Sequence, residues 1–218
     1  VSPNSTYLDN WHVDVICDYL LDILSGKNKR LIINMPPRYM KSIICSIALP
    51  AFILGQNPKA SVIAVSYADE LSIKLANDCR RVMESHWYQE IFPGTKLSKR
   101  VTYDFETTKG GGRYATSVNG TLTGRGADYI IIDDPIKPQD THSDLIREKT
   151  NDWYGNTLYS RLNNKNEGKI ILVMQRLHEN DLTGYLLEND SSFKLLRMQA
   201  IAEIDEKYIL RCGKKITR

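Results

Sequence analysis

At 218 residues the chain is long enough for one sizeable α/β domain that buries its own core without disulfides or metals. Hydrophobic residues make up 42% and charged residues 25%, an ordinary globular mix, and no apolar run reaches the roughly 18 residues of a membrane span. The net charge of +3 is too small to indicate a nucleic-acid partner by itself.

The first predicted element is a helix over 7–24, where Val13, Ile16, Leu20 and Ile23 recur at helical spacing. After a basic turn, Leu31-Ile32-Ile33-Asn34-Met35 reads as a short buried strand. Pro36-Pro37-Arg38-Tyr39-Met40 forms a tight loop, and Lys41-Ser42 opens a helix that is apolar nearly all round and therefore buried. Pro50 lacks an N–H and is expected to kink or break that helix, which ends at Gly55 and Asn57-Pro58. Ser61 to Ser66 is a second buried strand. An amphipathic helix follows over 68–85, with Leu71, Leu75, Cys79, Val82 and Met83 on its stripe and Ser66 or Asp69 as its cap.

Val101 to Phe105 and Arg113 to Ser117 read as two strands around the Gly110-Gly111-Gly112 turn. A glycine-rich loop from Thr121 to Asp128 leads into a third buried strand, Tyr129 to Ile132, which ends in Asp133-Asp134. A polar helix over 143–162, a fourth buried strand from Lys169 to Met174, a helix near 181–189 and a strand from Phe193 to Ala200 complete the chain. The four cysteines, Cys17, Cys45, Cys79 and Cys212, form no C-x-x-C pair and read as reduced, mostly buried thiols of a cytosolic protein. The histidines show no metal-binding spacing.

Apolar strands alternating with helices predict an α/β fold with a mostly parallel sheet and helices on both faces. In such sheets ligands bind at the carboxyl ends of the strands, so the loops after Met35, Ser66, Ile132 and Met174 are expected to converge on one site. The chain divides into a helical lead-in over 1–30, a core domain over 31–202 and a tail over 203–218.

Lys41-Ser42, after a strand and at a helix start, has the placement of a phosphate-binding P-loop. Backbone N–H groups hold phosphate oxygens there, the lysine reaches the β and γ phosphates of ATP, and the serine hydroxyl ligates Mg2+. The strict motif fails, because Met35 and Met40 stand where it has glycine, and a chance Lys-Ser remains the alternative. Arg38 either contacts a phosphate or forms a surface salt bridge.

Asp133 and Asp134 fit a strand-end acid pair. Asp133 belongs to the Mg2+ shell with Ser42 and Asp134 polarises the attacking water, unless both are simply solvated acids. The helix–strand units between Lys41 and this pair match the P-loop class in which another strand separates the two motifs.

Arg125, between Gly124 and Gly126, suits an arginine finger or a DNA contact; alternatively it pairs with Asp128 across a tight turn. Gln175, after the fourth strand, is the candidate sensor of the γ-phosphate, with Arg176 second, while His178 reads as structural.

Taken in order, these segments resemble the ATPase half of phage terminase large subunits, over roughly residues 7 to 200. Met35-Pro36-Pro37-Arg38-Tyr39-Met40-Lys41-Ser42 is similar to their M-P-P-R-H-G-K-S loop. Gly124 to Asp128, running through to Ile132-Asp133-Asp134-Pro135, resembles their acidic-strand region. Gln175 to Leu182 resembles their coupling segment, and Trp11-His12 their W-H element near the nucleotide base.

The resemblance implies a RecA-like P-loop NTPase fold of the ASCE class. It also implies nucleotide contacts from Trp11, His12, Pro37, Arg38, Tyr39, Met40, Lys41 and Ser42, and catalytic roles for Lys41, Arg125, Asp134 and Gln175. The implied activity is Mg2+-dependent ATP hydrolysis driving double-stranded DNA into a procapsid, as a homo-oligomer working with a portal protein and a small terminase subunit in the bacterial host cytoplasm. A nuclease domain follows in that family, so 203–218 is expected to begin a linker. The family has glycine at Met40 and glutamate at Asp134; the first departure bears on backbone approach to phosphate, the second on reach. Two alternatives stay open, a helicase-like DNA-dependent ATPase and a degenerate relative that binds nucleotide or DNA without turnover. The basic runs Lys96 to Arg100 and Arg211 to Arg218 read as solvated faces.

Overall fold

The computed structural model describes residues 7–218; the first six residues of the 1–30 lead-in lie outside the described residues. Helix α1 (Trp11–Leu24) is followed by β1 (Arg30–Asn34), a π-helical turn over Ile43–Ala48 that continues as α2 (Leu49–Gln56), and β2 (Ser61–Ser66). Next come α3 (Asp69–Glu84), α4 (His86–Ile91), β3 (Leu97–Val101), β4 (Asp104–Thr107) and β5 (Gly112–Ser117). The remaining elements are β6 (Tyr129–Asp133), α5 (Asp144–Trp153), β7 (Lys169–Met174), α6 (Leu182–Asn189), β8 (Lys194–Arg197), β9 (Lys207–Ile209) and β10 (Lys215–Thr217). Among these helices none is long and apolar enough to cross a membrane.

Eight strands form one sheet in the order β3-β4-β5-β2-β6-β7-β1-β8. From β5 to β8 every neighbouring pair is parallel, and only β3 and β4 run against their neighbours. The expected mostly parallel sheet is therefore present, and β7 lies between β1 and β6.

Strand side chains alternate between the two faces. Leu31, Ile33, Val62, Ala64, Ile131, Ile171 and Val173 pack with α1, the π-turn and α2. Ile32, Ile63, Val65, Ile130, Ile132, Ile170 and Leu172 pack with Trp153 and Tyr154 at the end of α5 and with Leu182 and Leu186 of α6. Because both faces are covered, the central strands read as continuous apolar runs rather than alternating ones. A third cluster joins Ile47, Ala51 and Leu54 to Leu75, Cys79 and Met83 of α3 and to Tyr88 of α4.

Several local expectations change. The first helix begins at Trp11 rather than residue 7. Neither Ser66 nor Asp69 caps α3; Ala68 holds the cap position with no side-chain bond. The region expected to hold two strands has three, with the glycine turn joining β4 to β5. Pro50 does not break its helix, because the chain underwinds into the π-turn immediately before it and continues to Gln56. Of the thiols, Cys45 and Cys79 are buried, whereas Cys17 and Cys212 are exposed.

The tail is structured as well. β9 and β10 form a hairpin that folds back on α1. Arg211 is bonded to Asp22 and its backbone N–H donates to Asp18, Lys214 pairs with Asp14 at 2.6 Å, and Tyr208 stacks on Trp11.

Candidate functional site

The loop between β1 and the π-turn leaves the sheet at Met35, which is buried and donates its N–H to the Met174 carbonyl at 3.2 Å. It then takes two left-handed steps, at Arg38 (φ 68°) and Met40 (φ 62°). Each costs a non-glycine residue about 1–2 kcal/mol. Met40 thus holds a left-handed backbone that a glycine would adopt freely, and bears the strain. Its side chain packs against the core cluster of α1 and β1, so its bulk is absorbed by the protein interior. The Met40 carbonyl accepts the Ile44 N–H at 2.9 Å, which starts the helix with Lys41 and Ser42 in its first turn.

Four expected residues meet here, brought from chain positions 93 residues apart for Lys41 and Asp134. The Lys41 ammonium lies 2.5 Å from both oxygens of Asp134, in a pair whose lysine is buried and whose carboxylate is partly open. Asp134 has φ 45°, and its Oδ1 also accepts the backbone N–H of Gln175 at 3.1 Å. Asp133, at the end of β6 and 1% exposed, accepts hydroxyl hydrogen bonds from Ser42 at 3.0 Å and Ser46 at 2.7 Å. Burial, and after it the charge of Asp134, push the Asp133 carboxyl up to about 6, against the two hydroxyls and Lys41.

The oxygens of Ser42 and Asp133 form a small, hard donor pair. Such a pair suits Mg2+, which takes one or two protein ligands and completes its shell with water and phosphate oxygens. Among the described residues no group of three or more His, Cys, Asp or Glu is placed to hold a metal on its own.

Two hollows flank the loop. One, of about 410 Å³, is lined by Asn34, Pro36, Pro37, Gln175 and Arg176. The other, of about 190 Å³, is lined by Trp11, His12, Pro36, Tyr39 and Arg218. The His12 and Tyr39 rings meet edge-on at 5.7 Å, and His12 Nε2 is buried without a partner among the described residues. Burial lowers the His12 pKa, opposed by the Tyr39 backbone. Arg38 and Tyr39 are exposed at the loop's outer edge.

Other expected residues lie elsewhere or serve locally. After β5 the chain runs back down the sheet, from a Val118–Ser66 backbone bond at the carboxyl end to an Asp128–Ser61 bond at the amino end. Arg125 lies near that amino end, away from Lys41. It does not pair with Asp128; its guanidinium grips Asp104 at 2.8 and 3.2 Å and stacks on Tyr114 at 3.9 Å. Asp128 instead accepts from the Ser61 N–H and the Asn163 amide, each at 2.9 Å. Arg176 organises its own loop by donating to Asp181, the cap of α6, and to the carbonyls of His178 and Glu179. His178 accepts the Asn180 N–H at Nδ1, in keeping with a structural histidine.

Ser46 and Asn34 escaped the sequence reading. Ser46 follows Ser42 by one turn, and a hydroxyl in an otherwise apolar helix was the available signal. Asn34 is buried at the end of β1, donates to Thr183 at 3.0 Å, and leaves its Oδ1 without a protein partner.

A parallel sheet with β7 between β1 and β6, and a Lys-Ser helix start facing a strand-end acid pair, places the chain in the RecA-like α/β class. No known family profile and no curated protein matches the chain. Among solved structures it resembles the crystal structure of the HK97 bacteriophage large terminase, with a TM-score of 0.58 at 14% identity. The match covers 94% of this chain and 42% of that one, so the chain spans less than half the length of the solved protein, and the likeness is one of fold.

Proposed function

We propose that this chain is the ATPase motor domain of a phage-type terminase large subunit, hydrolysing ATP with Mg2+ to translocate double-stranded DNA. The observation that carries this reading is the convergence of Lys41, Ser42, Asp133 and Asp134 into one hydrogen-bonded cluster at the carboxyl ends of β1 and β6. The terminase fold likeness supports the same reading.

Each residue has a physical role in it. The backbone N–H groups of the helix start hold phosphate oxygens, and Lys41 exchanges its Asp134 partner for the β and γ phosphates. Ser42 and Asp133 hold Mg2+, which neutralises charge on the phosphates when bound. Asp134, released from Lys41, orients the water that attacks the γ-phosphate in line. Gln175, whose backbone already reports on Asp134, couples that event to the loop before α6. Trp11, His12 and Tyr39 line the hollow that receives the base, with Pro37, Arg38 and Met40 shaping the phosphate loop. Arg125 lies near the amino ends of the strands, so a finger role is open to it only toward a neighbouring subunit. A DNA duplex, a portal protein, a small terminase subunit and further copies of the chain, in a bacterial host cytoplasm, are the partners of this reading.

The test is Mg2+-dependent phosphate release with and without duplex DNA, for the parent chain, Lys41→Ala and Met40→Gly. DNA-stimulated release that vanishes in Lys41→Ala supports the motor. Nucleotide binding without release in the parent, with release gained in Met40→Gly, indicates a packaging ATPase disabled at its phosphate loop. Neither binding nor release in any of the three sinks the proposal.

A further inference from the structure

Arg113 is the bulkiest of the fully buried side chains, 1% exposed on β5, and none of the roles above uses it. Among the described residues only Nη2 of its three nitrogens has a partner, the backbone carbonyl of Ser46 at 3.3 Å; Nε and Nη1 have none. A buried guanidinium with so few bonds is costly, and burial lowers its pKa accordingly. Removing the charge would relieve that cost unless its position does something else.

The carbonyl it holds is informative. In an α-helical register Ser46 would give its carbonyl to the N–H four residues on, but that residue is Pro50, which has none. The chain takes the wider π register at this point, and Arg113 adds a side-chain donor to that carbonyl from a neighbouring strand. The same Ser46 donates its hydroxyl to Asp133 at 2.7 Å. Ser42, the other hydroxyl on Asp133, lies immediately before the π-turn that includes Ser46. The backbone of that turn thus sets both hydroxyls, and through them the orientation of the Asp133 carboxylate. The positive charge of Arg113 is also close enough to Asp133 for the two to attract each other.

We infer that Arg113 is a positioning residue for the divalent-cation site: by anchoring the Ser46 carbonyl in the π-turn, it holds Asp133 and Ser42 in a cation-ready arrangement. This rests on the proposed ATPase reading, in which Ser42 and Asp133 receive the metal. It separates two kinds of nucleotide affinity. The affinity that needs Lys41 and the loop backbone is independent of Arg113; the enhancement that a divalent cation adds depends on it.

The test is calorimetric titration of the full chain with a non-hydrolysable ATP analogue, once in EDTA and once in Mg2+, together with Mn2+ binding followed by electron paramagnetic resonance. The variants are Arg113→Met, Ser46→Ala, and Arg113→Met combined with Pro50→Ala, which restores a backbone N–H where the proline had none. Arg113→Met is expected to leave the EDTA affinity within about twofold, lower the Mg2+ enhancement about tenfold and weaken Mn2+ binding in step; Ser46→Ala is expected to match it. The Pro50→Ala combination is expected to recover part of the enhancement. Thermal unfolding checks that each variant folds, and Arg113→Lys, which keeps the charge without the reach of the guanidinium to the Ser46 carbonyl, carries the test with the same expected loss if Arg113→Met does not fold.

A merely structural role would lower both affinities together or neither, and either pattern overturns the inference. If the parent binds the analogue with Mg2+ enhancement and the variants keep it, the inference fails while the ATPase reading stands. If the parent binds no nucleotide at all, the ATPase reading fails, and this inference falls with it.

Discussion

Lys41 and Arg125 look alike in the sequence, each a cation beside a strand of the sheet, and in the fold each has a carboxylate partner. In the fold they lie toward opposite ends. Lys41 is at the carboxyl ends of the strands, bonded to an Asp134 that is partly open and strained into left-handed backbone. Arg125 lies near the amino ends, clamped on a buried Asp104 that Lys99 also holds at 2.5 Å, with Tyr114 beneath it. In the proposed function the first pair is exchanged for a ligand and the second stays. What separates them is the direction of the parallel strands, which collects loops of one kind at one end.

The largest effects should follow that division. Lys41→Ala is expected to lower ATP turnover about a hundredfold or more, as removal of a charge-stabilising donor does, whereas Arg125→Ala should change the turnover of isolated chains less than about threefold. A steep loss in Arg125→Ala that appears only under assembling conditions would move Arg125 to a neighbour's site. Asp134→Asn should lower turnover about a hundredfold or more by weakening its hold on the attacking water. It should leave nucleotide affinity equal or tighter, because Lys41 no longer has a charged partner to leave; weaker binding by calorimetry would contradict the exchange.

Smaller effects test the staying pair. Arg125→Ala should destabilise the fold by about 1 kcal/mol, less than the loss of a fully buried pair, because Arg125 is two-fifths exposed and Lys99 remains. Burial raises the Asp104 pKa, but its hydrogen bonds with Lys99 and Arg125 outweigh this and leave the carboxyl below its ordinary value. A depressed carboxylate contributes stability that is fully present above the unfolded pKa of about 4 and is lost as pH falls through the folded value. The gap between parent and Arg125→Ala in urea unfolding should therefore narrow on going from pH 7 to pH 3. A gap that stays constant would show that the pair contributes nothing electrostatic.

The smallest effect is at Met40. Met40→Gly relieves about 1–2 kcal/mol of left-handed strain but gives up the packing of Met40 on the core and adds chain entropy, so net stability should change by less than about 1 kcal/mol. A large loss would mean that the methionine is mainly a packing residue.

Much of this was legible before the fold was known. Ser61 to Ser66 and Lys169 to Met174 were readable to the residue, since continuous apolar runs between polar turns admit little else. The acid pair and the Lys-Ser helix start were readable because their chemistry depends on a strand end and a helix start, both local features. The partners of Asp133 were less so: Ser42 was named and Ser46 was not, because nothing local says that a hydroxyl one turn on reaches the same carboxylate. The π-turn before Pro50 was hidden because its carbonyl is served by Arg113, 67 residues away in the chain. The location of Arg125 followed from the path between β5 and β6, which no periodicity records.

The sequence by itself determined which segments are the central parallel strands and which residues stand at their ends, because these follow from continuous apolar runs, turn chemistry and short-range sterics. Only the tertiary structure decided where the Arg125 loop lies, which distant side chain bonds the π-turn, and that the last residues fold back over Trp11. Those outcomes depend on strand order and on contacts between residues far apart in the chain, and such contacts form only when the two covered faces of the sheet are packed together.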